Sequence, residues 1–194
     1  MSHYFIQDET LQSQKKEITY YYYSHKLDFT TDVGVFSKDH VDPATDILLR
    51  NIPPIKGSLL DLGCGYGVIG ISLFKQFGIE LTQSDVNQTA LDLTKENCEK
   101  NGVNSKIIKS YCFNEIGESF DTITLNPPIH AGKVVTYQMY EEAFAHLNKG
   151  GKLFVVTLKK HGAETTITKL KETFGNCETI YKKKAYYVLS CVKS

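Results

Sequence analysis

The sequence has no long apolar run, no cysteine pair at C-x-x-C spacing and a formal net charge of zero. A membrane-spanning helix needs about 20 consecutive apolar residues, so a membrane partner is not expected. The first residues do not place a charged segment before an apolar one, as a secretory signal does. The composition is that of an ordinary globular protein, and we expect a cytoplasmic location.

The five cysteines are odd in number and scattered along the chain. Disulfides and zinc sites use thiols that are paired or clustered at characteristic spacings. We therefore expect free and mostly buried thiols, and no metal site. The cysteines are Cys64, Cys98, Cys112, Cys177 and Cys191.

The zero net charge conceals an uneven distribution along the chain. Residues 147–194 carry ten lysines and three glutamates, a charge of +7, and residues 1–146 carry the balancing −7. A basic segment of this kind is typical either of a face that binds a polyanion or of solvated surface, and charge alone does not separate the two. The candidate phosphate contacts are Lys149, Lys152, Lys159, Lys160, Lys182, Lys183 and Lys184.

The length of 194 residues predicts a single domain over 1–194, since a chain of this size buries one core. Residues 1–16 are predicted to be irregular, residues 17–30 to form a β-hairpin, and residues 43–192 to form the core. Strand and helix patterns alternate from 59 to 174, which predicts a doubly wound, mostly parallel α/β sheet. Seven strands are predicted in this sheet, and the final hairpin adds an antiparallel strand.

Local turn residues predict where several elements begin and end. Asp42 and Pro43 are typical of a helix N-cap and of the first helical position. A helix is predicted from about Val135 to Leu147, ended by the glycine pair at 150–151, and the next strand is predicted from Lys152. In the hairpin, the run from Tyr20 to Tyr23 favours a strand that buries alternate rings over a surface for stacking on bases.

A glycine-rich stretch, residues 59–71, predicts a ligand site between a buried strand and a helix. Its glycines let the backbone approach a ligand closely, and the helix offers free N–H groups to an anion. The stretch satisfies the G-x-G-x-x-G dinucleotide fingerprint, and Asp85 lies where that fingerprint places a ribose-binding acid. These observations predict a nucleotide-type cofactor. The glycines are Gly63, Gly65, Gly67 and Gly70.

Asp61 favours one nucleotide-type cofactor over another. A carboxylate two positions before Gly63 faces a pyrophosphate unfavourably, because like charges in a partly desolvated cleft repel. The same carboxylate suits a ligand that carries an ammonium group. Asp61 therefore favours S-adenosylmethionine over NAD.

A second motif, Asn126-Pro127-Pro128, follows the fourth predicted core strand. Because ligands of open parallel sheets bind at the carboxyl ends of the strands, this turn is expected beside residues 63–70, which we name the glycine loop. The two prolines fix the turn. The side-chain oxygen of Asn126 and the carbonyl of Pro127 can then accept hydrogen bonds from a planar amino group. A rigid solvent loop is the alternative interpretation.

Together these motifs resemble those of a known family. Asp61-x-Gly63-x-Gly65-x-Gly67, Asp85 and Asn126-Pro127-Pro128 look like class I S-adenosylmethionine-dependent methyltransferases that act on planar amino groups. With Gly34-Val-Phe-Ser37, Asp42 and the segment 126–132, the chain resembles the small-domain (MTS) methyltransferases of the RsmC type, which modify guanine N2 in 16S ribosomal RNA. The resemblance is to the single-domain branch of that family.

The resemblance implies a reaction, partners and site residues. It implies methyl transfer to guanine N2, with ribosomal RNA or a ribosomal subunit as partner and a monomer or homodimer as the active form. The implied catalytic residues are Asn126, Pro127, Pro128 and Ile129. The implied cofactor-binding residues are Asp61, Gly63, Cys64, Gly65, Gly67, Asp85, Val86, Asn87, Tyr111, Cys112, Asn126, Phe36, Ser37 and Asp42. The implied substrate or RNA contacts are Phe36, His130, Lys159 and Lys160.

Ile129 departs from the pattern of many amino methyltransferases, which place an aromatic residue after the two prolines. An isoleucine gives apolar contact without a stacking ring, and Phe36 is the candidate replacement. Methylation of adenine N6 or of a protein glutamine amide stays open, as does a non-catalytic module that binds the cofactor and RNA. His130 is interpreted first as a polar loop residue.

Overall fold

The computed structural model describes residues 13–128 and 132–194. The strands are β1 (Lys16–Tyr22), β2 (His25–Thr31), β3 (Ser58–Leu62), β4 (Glu80–Asp85), β5 (Lys106–Lys109), β6 (Phe120–Leu125), β7 (Leu147–Leu158), β8 (Glu178–Lys183) and β9 (Tyr186–Val192). The helices are α1 (Pro43–Asn51), α2 (Val68–Phe77), α3 (Gln88–Asn101), α4 (Gly132–Ala145) and α5 (Ala163–Phe174), with a short 3₁₀ helix at Lys159–His161.

Seven strands form the central sheet in the order β5-β4-β3-β6-β7-β9-β8. The strands from β5 to β7 pair in parallel, and β9 pairs antiparallel with both β7 and β8. This confirms the predicted doubly wound sheet with an antiparallel C-terminal strand. The chain moves outward from β3 to β5 and then returns to β6 on the other side of β3. The point between β3 and β6 is therefore where a doubly wound sheet offers its ligand crevice.

Apolar layers cover both faces of the sheet. One layer contains Phe29 of β2, Leu48 of α1 and Ile71 of α2, all fully buried. The other contains Tyr140 of α4 and Leu170 of α5, which are buried to the same degree. Helices on both faces hold the parallel strands in place, so the carboxyl ends of β3, β4 and β6 form a fixed platform.

The N-terminal hairpin packs against α3. Asn97 of α3 accepts a hydrogen bond from the backbone N–H of Thr30 at 2.6 Å and donates to its carbonyl at 2.9 Å. Tyr20 and Tyr22 are buried, whereas Tyr21 and Tyr23 are 62% and 59% exposed, which confirms the predicted alternation. The hairpin therefore anchors the start of the loop between β2 and α1, residues 32–42.

The predicted boundary between α4 and β7 is wrong. Helix α4 ends at Ala145, and β7 already begins at Leu147 and runs through the glycine pair at 150–151. Here the pairing with β6 shifts register, and Gly150 has a φ of +78°. A Cβ on Gly151 would lie 2.8 Å from the carbonyl oxygen of Asn148. The glycines thus permit a bulge in a strand and do not end a helix.

The cysteines match the expectation from their spacing. All five are free thiols; Cys177 is half-buried and the other four are buried. Over residues 13–128 and 132–194, no helix combines the length and apolarity that crossing a bilayer requires. Nor do three or more histidine, cysteine or acidic side chains cluster in this part of the chain as a metal ion would need.

Candidate active site

A cavity of about 560 Å³ opens at the carboxyl ends of β3, β4 and β6. Its size is within the range of about 300–1,000 Å³ that is usual for small-molecule and cofactor sites. Gly63, Cys64 and Gly65 of the glycine loop line it, as do residues at the N-terminal ends of α1, α4 and α5. The predicted site residues that line it are Phe36, Ser37, Asp42, Gly63, Cys64, Gly65, Asp85, Val86, Tyr111, Cys112, Asn126, Pro127, Pro128 and Lys160.

Four other predicted site residues do not line this cavity: Asp61, Gly67, Asn87 and Lys159. The side-chain oxygen of Asn87 accepts from the backbone N–H of Thr89 at 2.9 Å and so caps α3. Gly67 is the N-cap of α2, with a φ of +96°. Both residues fix the start of a helix next to the cavity without lining the cavity themselves. Ile129 and His130 lie outside the described residues.

The glycine loop is tied to the end of β4. The backbone N–H groups of Gly63 and Cys64 donate to the carbonyl of Ser84 at 2.8 and 2.9 Å. Gly63 and Gly65 have φ values of +71° and +57°, and a Cβ on either would meet no atom within 4 Å. The backbone here borders open cavity space, as a loop that cradles a ligand must.

Asp85 connects the glycine loop to the start of α3. Its Oδ2 accepts from the N–H of Gly65 at 2.9 Å, and its Oδ1 accepts from the N–H of Asn87 at 2.9 Å. Burial raises the pKa of this carboxyl, and the backbone donors oppose that shift. Each oxygen keeps acceptor capacity toward the cavity, which suits a pair of ribose hydroxyls.

Asp61 lies beneath the cavity and is fully buried. Its carboxylate accepts from the N–H of Gly70 at 3.0 Å and from Oγ1 of Thr124 at 3.1 Å, joining α2 to β6. Burial raises its pKa to about 7. The structure does not bring this carboxylate to the cavity wall, so direct contact with a ligand ammonium group is not supported.

The raised pKa of Asp61 predicts how stability depends on pH. A carboxyl whose folded pKa lies above its unfolded value of 3.8 stabilises the fold fully below that value, and its contribution is lost as pH rises toward 7. In chemical denaturation of the cofactor-free protein, we expect the wild type to lose stability relative to the variant Asp61→Asn between pH 4 and 7, by at most about 1.4 kcal/mol per pH unit from this one proton. Asp61→Asn removes this contribution.

The pKa of Asp85 is also raised, but Asp85 is present in both proteins. The difference between their profiles of stability against pH therefore reports Asp61 alone. Asparagine keeps an oxygen for Gly70 and adds an amide that can donate to Thr124, so the variant is expected to fold. Identical profiles of stability against pH for the two proteins would contradict the raised pKa of Asp61.

Asn126 is held in one orientation. Its Nδ2 donates to Oδ2 of Asp42 at 3.1 Å and to Oγ1 of Thr45 at 3.0 Å. Both amide hydrogens are thereby used, and no described group donates to Oδ1. The same Asp42 oxygen accepts from the N–H of Thr45 at 3.0 Å and caps α1. Asn126 therefore offers its oxygen, and not its nitrogen, to a ligand.

Sequence reasoning missed several lining residues. Thr45 was not predicted, although its position three residues after the N-cap Asp42 places its N–H on the capping carboxylate. Ser84 also lines the cavity, and its buried hydroxyl has no hydrogen-bond partner among the described residues. The lining also includes Lys133, Tyr137, Thr157, His161 and Tyr186.

The chain matches the family model described as methyltransferase small domain over residues 26–190. It is 38% identical over 197 residues to the uncharacterized protein YbxB of Bacillus subtilis strain 168, covering 98% of both chains. It is 36% identical over 165 residues to ribosomal RNA small subunit methyltransferase C of Actinobacillus pleuropneumoniae serotype 7, covering 81% of this chain and 49% of the relative.

Among solved structures, the fold is similar to that of the Thermus thermophilus 16S rRNA N2 G1207 methyltransferase RsmC in complex with AdoMet and guanosine. The TM-score is 0.85 and the identity 26%, over 97% of this chain and 53% of that one. The chain thus spans about half the length of the methyltransferase C proteins that it matches, and nearly the whole length of YbxB.

Proposed function

Because the chain belongs to the methyltransferase small domain family, we propose that it methylates N2 of a guanine in ribosomal RNA, with S-adenosylmethionine as the methyl donor. The observation that carries this proposal is the orientation of Asn126. Asp42 and Thr45 occupy both hydrogens of its amide, so its oxygen is left to accept from a planar amine. Ribosomal RNA as the substrate is supported by the likeness to ribosomal RNA small subunit methyltransferase C. Guanine N2 as the acceptor is supported by the likeness to the Thermus thermophilus 16S rRNA N2 G1207 methyltransferase.

The residues present fit S-adenosylmethionine. The cofactor supplies an electrophilic methyl group on a sulfonium. In our proposal, Gly63 to Gly65 cradle its methionine part, Asp85 accepts its ribose hydroxyls, and the unpartnered Ser84 hydroxyl is available to it. Further proposed contacts are Phe36, Ser37, Asp42, Cys64, Val86, Tyr111 and Cys112.

The Asn126-Pro127-Pro128 turn would position the substrate amine. The side-chain oxygen of Asn126 and the carbonyl of Pro127 would accept hydrogen bonds from its two N–H groups, which would leave the amine nitrogen facing the methyl group. Most of the rate enhancement then comes from this near-attack geometry. As the N–CH3 bond forms, the S–CH3 bond would break and a neutral thioether would be left. A strong general base is unnecessary, because the amine becomes acidic only as it is alkylated, and its surplus proton would pass by way of the two acceptor oxygens to water. Pro128 restricts the turn, and Phe36 offers an apolar ring to the base.

Thr45→Val tests the orientation of the amide. Valine keeps the shape of threonine and removes the oxygen that accepts from Asn126. One hydrogen bond contributes about 0.5–1.5 kcal/mol, so we expect turnover to fall by about three- to tenfold while the KM for S-adenosylmethionine changes little. Steady-state kinetics separate the two constants. A variant that loses cofactor affinity and keeps its turnover would contradict this role for Thr45.

The proposed reaction is tested by transfer of tritiated methyl groups. Deproteinised small-subunit ribosomal RNA, intact small subunits and ribosomal protein are each incubated with the enzyme and labelled S-adenosylmethionine. We expect label in the RNA of at least one of the first two. Label confined to protein would favour the glutamine-amide alternative, and binding of the cofactor without any transfer would favour the non-catalytic module.

A further inference from the structure

The lysines of the basic C-terminal segment lie at two opposite edges of the sheet. Lys149 and Lys152 belong to the first half of β7, at its amino end. Lys159 and Lys160 follow the carboxyl end of the same strand. Since β9 is antiparallel to both β7 and β8, β8 runs parallel to β7 and carries its own last residues to the carboxyl edge. Only Lys159, Lys160 and the lysines at the end of β8 therefore lie at the same edge of the sheet as the cavity.

Five lysines meet at this carboxyl edge. The N–H of Lys159 donates to the carbonyl of Ala185 at 2.7 Å, which joins the 3₁₀ helix to the β8–β9 turn. Leu158 pairs with Tyr186, and both Tyr186 and Lys160 line the cavity. We name this surface the basic rim. It consists of Lys159, Lys160, Lys182, Lys183 and Lys184.

The basic rim presents uncompensated positive charge. All five lysines are exposed, and no ion pair within residues 13–128 and 132–194 includes any of them. Lys182 lies over the ring of Tyr187 at 4.7 Å, and Glu164 of α5 is the acid whose charge acts on it. Five exposed ammonium groups without an ion-pair partner in this part of the chain attract a polyanion.

We propose that the basic rim binds the sugar-phosphate backbone of the RNA strand that carries the target nucleotide, on the side of the cavity formed by Lys160 and Tyr186. The inference rests on the proposed function and assigns the surface that holds its substrate. The rim begins at the cavity and extends across β7, β9 and β8, a width of about 10 Å or two strand spacings. An RNA strand that leaves the cavity past Lys160 and Tyr186 would place the phosphates that flank the bound base beside these lysines.

Two charge-reversal triples with the same change in net charge test this surface. The rim variant is Lys182→Glu, Lys183→Glu and Lys184→Glu. The matched variant is Lys149→Glu, Lys152→Glu and Lys171→Glu, whose side chains are exposed, at the amino end of β7 or near the end of α5. Affinity for deproteinised small-subunit ribosomal RNA is measured against salt concentration, and calorimetry with S-adenosylmethionine checks that each variant is folded.

We expect the rim variant to bind the RNA at least about tenfold more weakly at 50 mM salt, with a slope of log K against log salt that is about 2 less steep, since three phosphate contacts are lost. The matched variant should change affinity by less than about threefold, as long-range charge is screened. If the rim variant no longer binds the cofactor, the double variant Lys183→Glu with Lys184→Glu is measured instead. This double variant keeps the contact of Lys182 with the ring of Tyr187.

The outcomes separate this inference from the proposed function. If the wild-type protein methylates the RNA and the two charge-reversed variants bind it equally well, the basic rim is not the docking surface and the proposed reaction stands. If the wild-type protein binds the RNA through the rim but transfers no methyl group to it, the reaction fails and the surface stands. If the wild-type protein neither binds the RNA through the rim nor methylates it, both the docking surface and the proposed reaction are contradicted.

Discussion

Asn126→Ala is expected to lower the rate of methyl transfer by about 10²- to 10³-fold, as the loss of a group that fixes the reacting geometry commonly does. The alanine removes the oxygen that accepts from the substrate amine, and the Pro127 carbonyl alone does not fix the direction of the nitrogen. Binding of S-adenosylmethionine should survive, because the glycine loop and Asp85 are untouched. Single-turnover transfer and calorimetry measure the two effects separately.

Asn148→Ala is the matched control for this variant. It also removes an asparagine amide, but one that donates to Asp121 at 2.9 Å at the opposite end of the sheet. Its rate of transfer should equal that of the wild-type protein. Wild-type turnover in Asn126→Ala would contradict the proposed role of the Asn126 oxygen in holding the substrate amine, whatever the effect on cofactor binding.

Asp85→Ala is expected to weaken the binding of S-adenosylmethionine by at least about 100-fold. The affinity falls because the proposed bonds to the two ribose hydroxyls are lost. The backbone bonds from Gly65 and Asn87 to Asp85 also disappear, so the glycine loop is held less firmly in place. Each hydrogen bond to a charged group contributes about 1.5–3 kcal/mol, and 1.4 kcal/mol corresponds to a tenfold change in affinity. Titration calorimetry gives the affinity directly.

Asp92→Ala provides the comparison for this loss. Asp92 is an exposed acid on α3 that accepts from Gln88 at 2.9 Å, so its removal should leave cofactor affinity within about twofold of the wild-type value. Wild-type affinity in Asp85→Ala would exclude the ribose role of this carboxylate. Tighter binding of NAD than of S-adenosylmethionine by the wild-type protein would contradict the choice of cofactor.

Much of the fold was predictable because its determinants are local or topological. Buried apolar runs alternate with amphipathic segments, and Asp42 with Pro43 fixes the start of α1. The rule that parallel strands present their ligands at one edge is general. With this rule, the sequence alone predicts that the glycine loop, Asp85 and the Asn126 turn lie close together. The structure places all three around one cavity.

The remaining features depend on contacts that spacing does not encode. The depth of Asp61 follows from its partners Gly70 and Thr124 on neighbouring elements. The bulge at the glycine pair 150–151 depends on the pairing with β6 and on the backbone hydrogen bonds of both glycines with Lys193. The orientation of the Asn126 amide requires α1 to lie beside the turn. Sequence identifies the residue types, whereas these tertiary contacts decide which atoms reach the cavity.

The most direct test of guanine N2 methylation is identification of the labelled nucleoside. Small-subunit ribosomal RNA is methylated with labelled S-adenosylmethionine, digested to nucleosides and separated by chromatography coupled to mass spectrometry. We predict that the label is found in N2-methylguanosine, and that RNA treated with Asn126→Ala carries almost none. Label in N6-methyladenosine, or in a nucleoside methylated on carbon or on the ribose, would contradict the proposed function.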